Sequence, residues 1–515
     1  MKFARALQHS VVRCGALGLL VLSVLGCGSA DAESDASNVT PPDTTPDLPP
    51  FDPNVPPPST CKTAVVVDAE SQAFVVTDPA ILSAFSLERV LKQLVSIAAQ
   101  PNVTAESLLQ RMFDTENDIA NAVFPDNLHC DDPTNAAFIN GPATDCPRVE
   151  GALASSAGLF VPGDKDYFAP IALVNRFDLM NQGLMTCGEY RIVFAKWSGR
   201  TDPNDRLFLI FEGALTNPNP GDLMGCTKVA RAWADVGKAK TPTEAQAILE
   251  QFYFEGLPGV LPLVHPDHFG VLSPDDDPYG SSRGQVRVSQ RMQDPWELRE
   301  YRIVNAIPDE NTPPFYFKPS TVKNNPRPEF FETSVQTDSA LSFRSNFLGM
   351  ALWSLGQAED LAHLRMQTSN THNAGESAIS GAAAVDYLGH ASAGPGVTFT
   401  AQIQEQLNTM SLGTTCPPSD PLTAEALVHR AAALTCAGCH APEKFIGPER
   451  KLGCGMTFPK ALGEVHIDEH GTLSPALHDV FLPRRAEIMS TYLSDCDKNA
   501  MFQNLEPAGG AAIPK

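Results

Sequence analysis

Cys436-Ala437-Gly438-Cys439-His440 sets two thiols three residues apart with an imidazole immediately after the second. That spacing suits covalent capture of one haem c. Each thiol adds across a vinyl group, and the adjacent imidazole is held at the iron as proximal ligand. With 12 Cys and 12 His in 515 residues, composition alone would produce the pattern about 0.006 times. The same residues admit a plainer chemistry, a short-loop disulfide or redox dithiol beside an incidental histidine. A second axial ligand is sought downstream. The loop from Glu464 to Pro483 carries His466, His470 and His478 but no methionine, while Met456 and Met489 lie to either side. His466 is the first candidate to join His440 at a metal, although it alternates with Glu464 and Asp468 as an exposed strand residue does. Two imidazoles would fill the iron's coordination and suit outer-sphere electron transfer, whereas an open position would admit peroxide or small ligands.

These residues need elements to hold them. Thr423 caps a predicted helix through Ala426, Leu427, His429 and Ala431 to Leu434 that runs straight into Cys436, and a second helix is expected from Arg484 to Leu493. A helix leading into CxxCH, an intervening loop and a closing helix over residues 416–500 resembles a class I c-type cytochrome domain. The resemblance implies a haem pocket, for which Leu452, Phe458, Leu462, Leu473, Leu477, Phe481 and Leu482 are candidate lining residues or plain core. It also implies a sixth ligand from the loop before the last helix. In that family the ligand is usually methionine, and this chain departs from the pattern.

The first 26 residues read as a signal peptide: Lys2, Arg5 and Arg13, then an apolar stretch from Gly15 to Gly26. The stretch is shorter than the roughly 20 residues a spanning helix needs. Val24-Leu25-Gly26-Cys27 is similar to a bacterial lipobox, which implies cleavage before Cys27, lipidation of its sulfur and attachment at the outer membrane or cell surface. Residues 27–60 hold nine prolines between Pro41 and Pro58, several aspartates and no Lys or Arg. Such a segment cannot bury enough apolar surface to order itself, and it is expected to act as a disordered tether.

The formal net charge is −23. Removal of the signal deletes three cations and no acid, leaving −26. With no basic run, nucleic acid is excluded as a partner on electrostatic grounds; the expected partners are the membrane, through the lipid, and a redox partner protein. Setting aside Cys14, Cys27, Cys436 and Cys439 leaves eight cysteines, enough for four disulfides in an oxidising compartment. Cys130–Cys146 and Cys187–Cys226 close the shortest loops, and Cys454–Cys496 would staple the C-terminal region.

Residues 61–334 mix predicted strands (Ala64–Val67, Ala172–Val174, Tyr190–Ala195, Leu207–Phe211, Val286–Val288, Leu298–Val304) with predicted helices (Ser86–Ala99, Thr104–Phe113, Thr243–Phe254). Residues 335–415 read as a connecting helical layer, with helices over Ala340–Leu355, Ala374–Leu388 and Gln402–Met410; residues 501–515 read as a tail. The expected fold is therefore an α+β N-terminal region with an antiparallel sheet, followed by a mainly α-helical cytochrome c-like module. Other constellations are weaker. His265-Pro266-Asp267-His268 and Asp275-Asp276-Asp277 are turn-like, and Gly375-Glu376-Ser377 is an incomplete nucleophile elbow. The expected function is electron transfer by a lipid-anchored exported protein carrying one covalent haem. The alternative is a disulfide-stabilised surface lipoprotein that binds a ligand or partner without haem. Whether it is an enzyme is left open.

Overall fold

Apolar and polar residues alternate through residues 189–192 and 285–288, so the strands that carry them present one apolar and one charged face. The structure is a computed structural model describing residues 64–132, 146–180, 184–270, 284–292, 295–305, 315–366, 368–381 and 383–494, all within one unit, Pro58–Lys515. Its centre is an eight-stranded sheet of β1 (Val75–Val76), β2 (Phe168–Arg176), β3 (Thr186–Lys196), β4 (Arg206–Thr216), β5 (Gln285–Arg291), β6 (Glu297–Asn305), β7 (Phe315–Ser320) and β8 (Glu376–Ala378). The order is β1 through β7 in sequence, with β8 added beside β6, and every pairing between these strands is antiparallel.

Because successive side chains point to opposite faces, Tyr190, Ile192 and Phe194 share a face with Phe211, Val286, Tyr301 and Ile303, all buried. Helices Leu87–Ala98, Ala105–Asp114 and Thr227–Val236 cover that face and form one core with it. Their starts follow the capping rules. Ser86 accepts from the Arg89 amide at 3.2 Å, and Thr104 and Ser107 cap reciprocally.

The opposite face is charged. Arg191 stands directly across from Glu212, Glu212 from Gln285, and Arg287 from Glu300. Arg191 donates to Glu189 at 2.7 Å, and Arg287 reaches Glu212 and Glu300 at 3.1 Å each. These carboxylates are buried, so something must cover this face.

The cover is the C-terminal part of the chain, and it is not the mainly helical cytochrome c-like module expected over 416–500. The two helices expected to close on one another belong to different cores. The Ala424–Ala433 helix buries Leu427, Val428 and Ala431 in a second core with Phe331, Phe347 and Phe399. The Leu482–Leu493 helix buries Leu482, Met489 and Tyr492 in the core of the sheet. Between them run a two-stranded hairpin, β9 (Lys451–Gly453) with β10 (Met456–Thr457), and a largely irregular loop. The apolar positions of the last helix are buried in the main core, a partner that helical periodicity alone does not specify.

Other expectations also shift. Ala64–Val67 is irregular, held by hydrogen bonds from Val65 and Val67 to Ser494 and Ser490 of the last helix at 2.8 and 2.9 Å. The helix expected over Ala374–Leu388 is instead β8 followed by a short helix, Tyr387–Ser392. Disulfides join Cys130 to Cys146, Cys187 to Cys226 and Cys416 to Cys454, so Cys454 is not the partner of Cys496. The signal, tether and tail, with Cys27, Cys61, Cys496 and Asp275–Asp277, lie outside the described residues. No described helix is long and apolar enough to cross a membrane.

Arg430 ties the second core to the hairpin. Its fully buried guanidinium donates to the carbonyls of Leu452, Gly453, Leu355 and Ala358 at 2.8, 3.2, 2.5 and 3.3 Å. Arg430→Met should strand these acceptors and lower the unfolding free energy by about 3 kcal/mol or more. A urea titration checks this through a lower midpoint at unchanged slope; an unmoved midpoint would mean the carbonyls find other donors.

Candidate cofactor site

The CAGCH residues form a one-turn helix, Cys436–His440, set directly after the Ala424–Ala433 helix by a sharp corner. Thr435 makes the corner. Its hydroxyl donates to the Ala432 carbonyl at 2.7 Å and accepts from the Gly438 amide at 3.0 Å, the N-cap arrangement. Gly438 must be glycine here, since a Cβ would lie 1.9 Å from the Ala432 carbonyl oxygen. The Ala437 amide donates to Ser377 Oγ on β8 at 3.0 Å, which pins the motif to the sheet edge.

The loop opposite is clamped to the charged face of the sheet. Arg206 of β4 holds Glu469 through Nε at 2.5 Å and Nη2 at 3.0 Å and donates to the Gly463 carbonyl at 2.7 Å. Arg291 of β5 reaches Glu464 at 2.7 Å. Glu464 takes a left-handed backbone conformation, φ 67°, uncommon outside glycine. Its carbonyl accepts from His440 Nδ1 at 2.7 Å. With Nδ1 as donor, the lone pair of His440 lies on Nε2, the ligand form of the ring. Trp296, just before β6, stacks on His440 with ring centres 5.0 Å apart.

His466 arrives on the same loop, its ring centre 4.8 Å from that of His440. Its Nδ1 contacts Ser474 Oγ at 2.9 Å and its Nε2 contacts Cys439 Sγ at 3.1 Å. Burial pushes the Cys436 thiol up to about 11 and the Cys439 thiol to about 12. Burial likewise takes His440 down to about 4 and His466 well below the usual imidazole range, the latter helped by His440. At neutral pH the quartet therefore consists of two protonated thiols and two uncharged imidazoles. Imidazole must be neutral to bind a metal, and a protonated thiol carries the hydrogen that its addition across a vinyl group would require.

The surroundings of the quartet have two characters. On one side Cys439 and Phe481 pack against a small apolar cluster that includes Ile446, Leu452, Met456 and Phe458. On the other lie the sheet's charged residues, with Arg287 and Arg191 in electrostatic reach of Cys436 and His440.

Of the expected ligands, His466 alone is brought to His440. His470 is exposed, and His478 is exposed and paired with Asp479 at 2.6 Å. Met456 is buried in the small apolar cluster, and Met489 in the sheet core at 3.6 Å from Asn175. His265 and His268 have ring centres 5.7 Å apart. Among the described residues no group of three or more His, Cys, Asp or Glu side chains is arranged to hold a bare metal ion. Trp296, Ser377, Ser474 and the Glu464 carbonyl were missed. Their roles depend on pairings distant in sequence, and Ser377 was weighed only as part of a failed elbow. Comparison with protein-family models, curated proteins and solved structures finds no match to this chain.

Two substitutions test the positioning. Gly438→Ala should cost about 2–4 kcal/mol by driving a methyl into a backbone carbonyl, read as a lowered Tm, while Ala437→Gly should cost well under half as much. Glu469→Gln should loosen the loop, seen as faster amide exchange across residues 463–470 without global unfolding; unchanged exchange there would show that Arg206 does not hold it.

Proposed function

We propose that Cys436, Cys439 and His440 hold one covalent haem c, and that the protein transfers electrons to or from a redox partner protein. The observation that carries the reading is the fate of the cysteines. Every other described cysteine is in a disulfide, while Cys436 and Cys439 remain thiols beside an imidazole whose Nδ1 is committed to a carbonyl. The residues fit the group chemically: two protonated thiols for the vinyls, a neutral imidazole, and surroundings apolar on one side and cationic on the other.

Bound there, haem c supplies one-electron exchange at iron. The chain's own residues do the rest. The Glu464 carbonyl fixes the tautomer and orientation of His440, and Trp296 shields one face of that ring from water. His466 is the proposed sixth ligand. Its Nε2 faces the Cys439 thiol at 3.1 Å, so a Cys439 engaged as a thioether would no longer present an S–H to that nitrogen. Ser474 then keeps the ring in the tautomer that presents Nε2. The lipobox at Cys27 supports anchoring at the outer membrane or cell surface.

The second reading, a disulfide-stabilised surface lipoprotein without haem, draws on the three disulfides and on the Cys439–His466 contact, which satisfies both groups with no cofactor. An absorption spectrum of protein from its native host separates the two. Covalent haem should give a sharp reduced α-band that stays with the protein through acid–acetone extraction, and colourless protein would sink the haem reading. His466→Ala should convert a low-spin spectrum to high-spin, whereas His478→Ala should leave it unchanged; the converse would reassign the ligand.

A further inference from the structure

Arg485, on the last helix, is a buried cation with too few partners. Its side chain is 9 % exposed, and its Nε and Nη1 find no hydrogen-bond acceptor. Its neighbouring carboxylate, Asp178, lies 3.6 Å from Nε, beyond hydrogen-bonding distance, and is already engaged by Arg176 at 3.0 Å from Nε and 2.9 Å from Nη2. A buried guanidinium with open donors is expensive even beside a carboxylate, so an arginine held this way points to an anion that completes it.

Geometry says where that anion belongs. Phe481 packs edge-on against His466, ring centres 6.4 Å apart. Arg485 follows Phe481 by four residues, one turn along the same helical face. Arg485, Arg191 and Arg176 all lie within electrostatic reach of His466, and Arg176 and Arg191 within reach of Cys439. The wider network supports the sign. Arg287 and Arg191 lie in electrostatic reach of both Cys436 and His440, so cations face the motif from the sheet as well as from the last helix. A haem carries two propionates, each a carboxylate at neutral pH.

We propose that Arg485, supported by Arg176 and Arg191, receives the propionate carboxylates of the haem. This rests on the haem reading above and adds which edge of the porphyrin points to the sheet. The apolar edge would lie toward Cys439 and the Leu452–Phe458 cluster, the acidic edge toward the Arg485 side chain. Charge-assisted, bidentate guanidinium–carboxylate contact is the strongest form such recognition takes.

The test uses the full chain matured with haem, as wild type, Arg485→Gln and Arg485→Lys. Haem content per chain should be equal in all three, because thioethers retain it. In Arg485→Gln the midpoint potential should fall, since a positive charge beside the haem is lost. The pH-dependent part of its potential should also move up by about one unit or more as the propionate loses its cation. Arg485→Lys should recover most of both shifts. Identical potentials and pH profiles in all three haem-loaded proteins would overturn the proposal. A second measurement guards against a folding defect. In the haem-free Cys436→Ala/Cys439→Ala background, Arg485→Gln should raise Tm by removing a buried cation with unfilled donors, but it should not in the haem-loaded protein. Equal Tm losses in both would make Arg485 merely a partner of Asp178, and the proposal falls. Inorganic phosphate raising the Tm of haem-loaded wild type, but not of Arg485→Gln, would assign the cation to a free anion instead. Colourless wild type is a separate failure, of the haem reading itself, and takes this proposal with it.

Discussion

A sheet with charge on its second face must either leave that face in water or cover it with partners. This protein covers it, and most of the structure follows. Removing a carboxylate and a guanidinium from water costs several kcal/mol each unless the geometry between them is good. Here strand register supplies the geometry, setting Arg191 across from Glu212 and Arg287 across from Glu300. Since a slip of one residue would exchange the charged and apolar faces, the same pairs that make the cover tolerable also fix the register of the apolar core behind it.

The cover cannot be a generic apolar lid, because it must answer the charges it meets. Arg206 and Arg291 at one end of the face take Glu469 and Glu464 from the loop, so the loop docks through salt bridges as well as through Val465 and Ile467, which are buried in the main core. Docking in that position also delivers the Glu464 carbonyl and His466 to the CxxCH turn. Cover and site are thus one segment with one set of contacts. This explains why residues 416–494 do not fold as a separate helical module. Their two helices are anchored in different cores, and the chemistry sits at the seam.

The legible part of this arrangement was local. Caps at Ser86, Thr104 and Thr423, the β-branched and aromatic residues of Tyr190–Ala195 and Leu298–Val304, and the CxxCH spacing are each written within a few neighbouring residues. So were Cys130–Cys146 and Cys187–Cys226, where short loops make closure easy. What could not be read were partners chosen across the chain. Nothing near Cys454 distinguishes Cys416 from Cys496, nothing near Trp296 announces His440, and Ser377 gains its role only because β8 pairs with β6. His466 shows both sides: its residue type and loop placed it among the candidates, while its alternation with charged neighbours argued for exposure. The alternation is real, but Glu464 faces Arg291 of the sheet and His466 faces Cys439 and His440, so a polar stripe here marks a docked surface.

On the haem reading, that docked surface also decides how the site would be tuned. Ligation by two imidazoles lowers a haem potential relative to His/Met, whereas burial and nearby cations raise it. The two influences enter through different elements, His466 through the loop and the arginines through the sheet and the last helix. They can therefore be varied independently. A substitution at His466 changes ligation and spin state together, while one at Arg485 leaves ligation intact and acts only through the field. A haem held by thioethers stays attached while its electrostatic surroundings are altered. The covalent bonds to Cys436 and Cys439 would thus do more than retain a cofactor in an exported chain: they would let a charged, buried face serve as the environment of a redox centre without also having to supply its affinity.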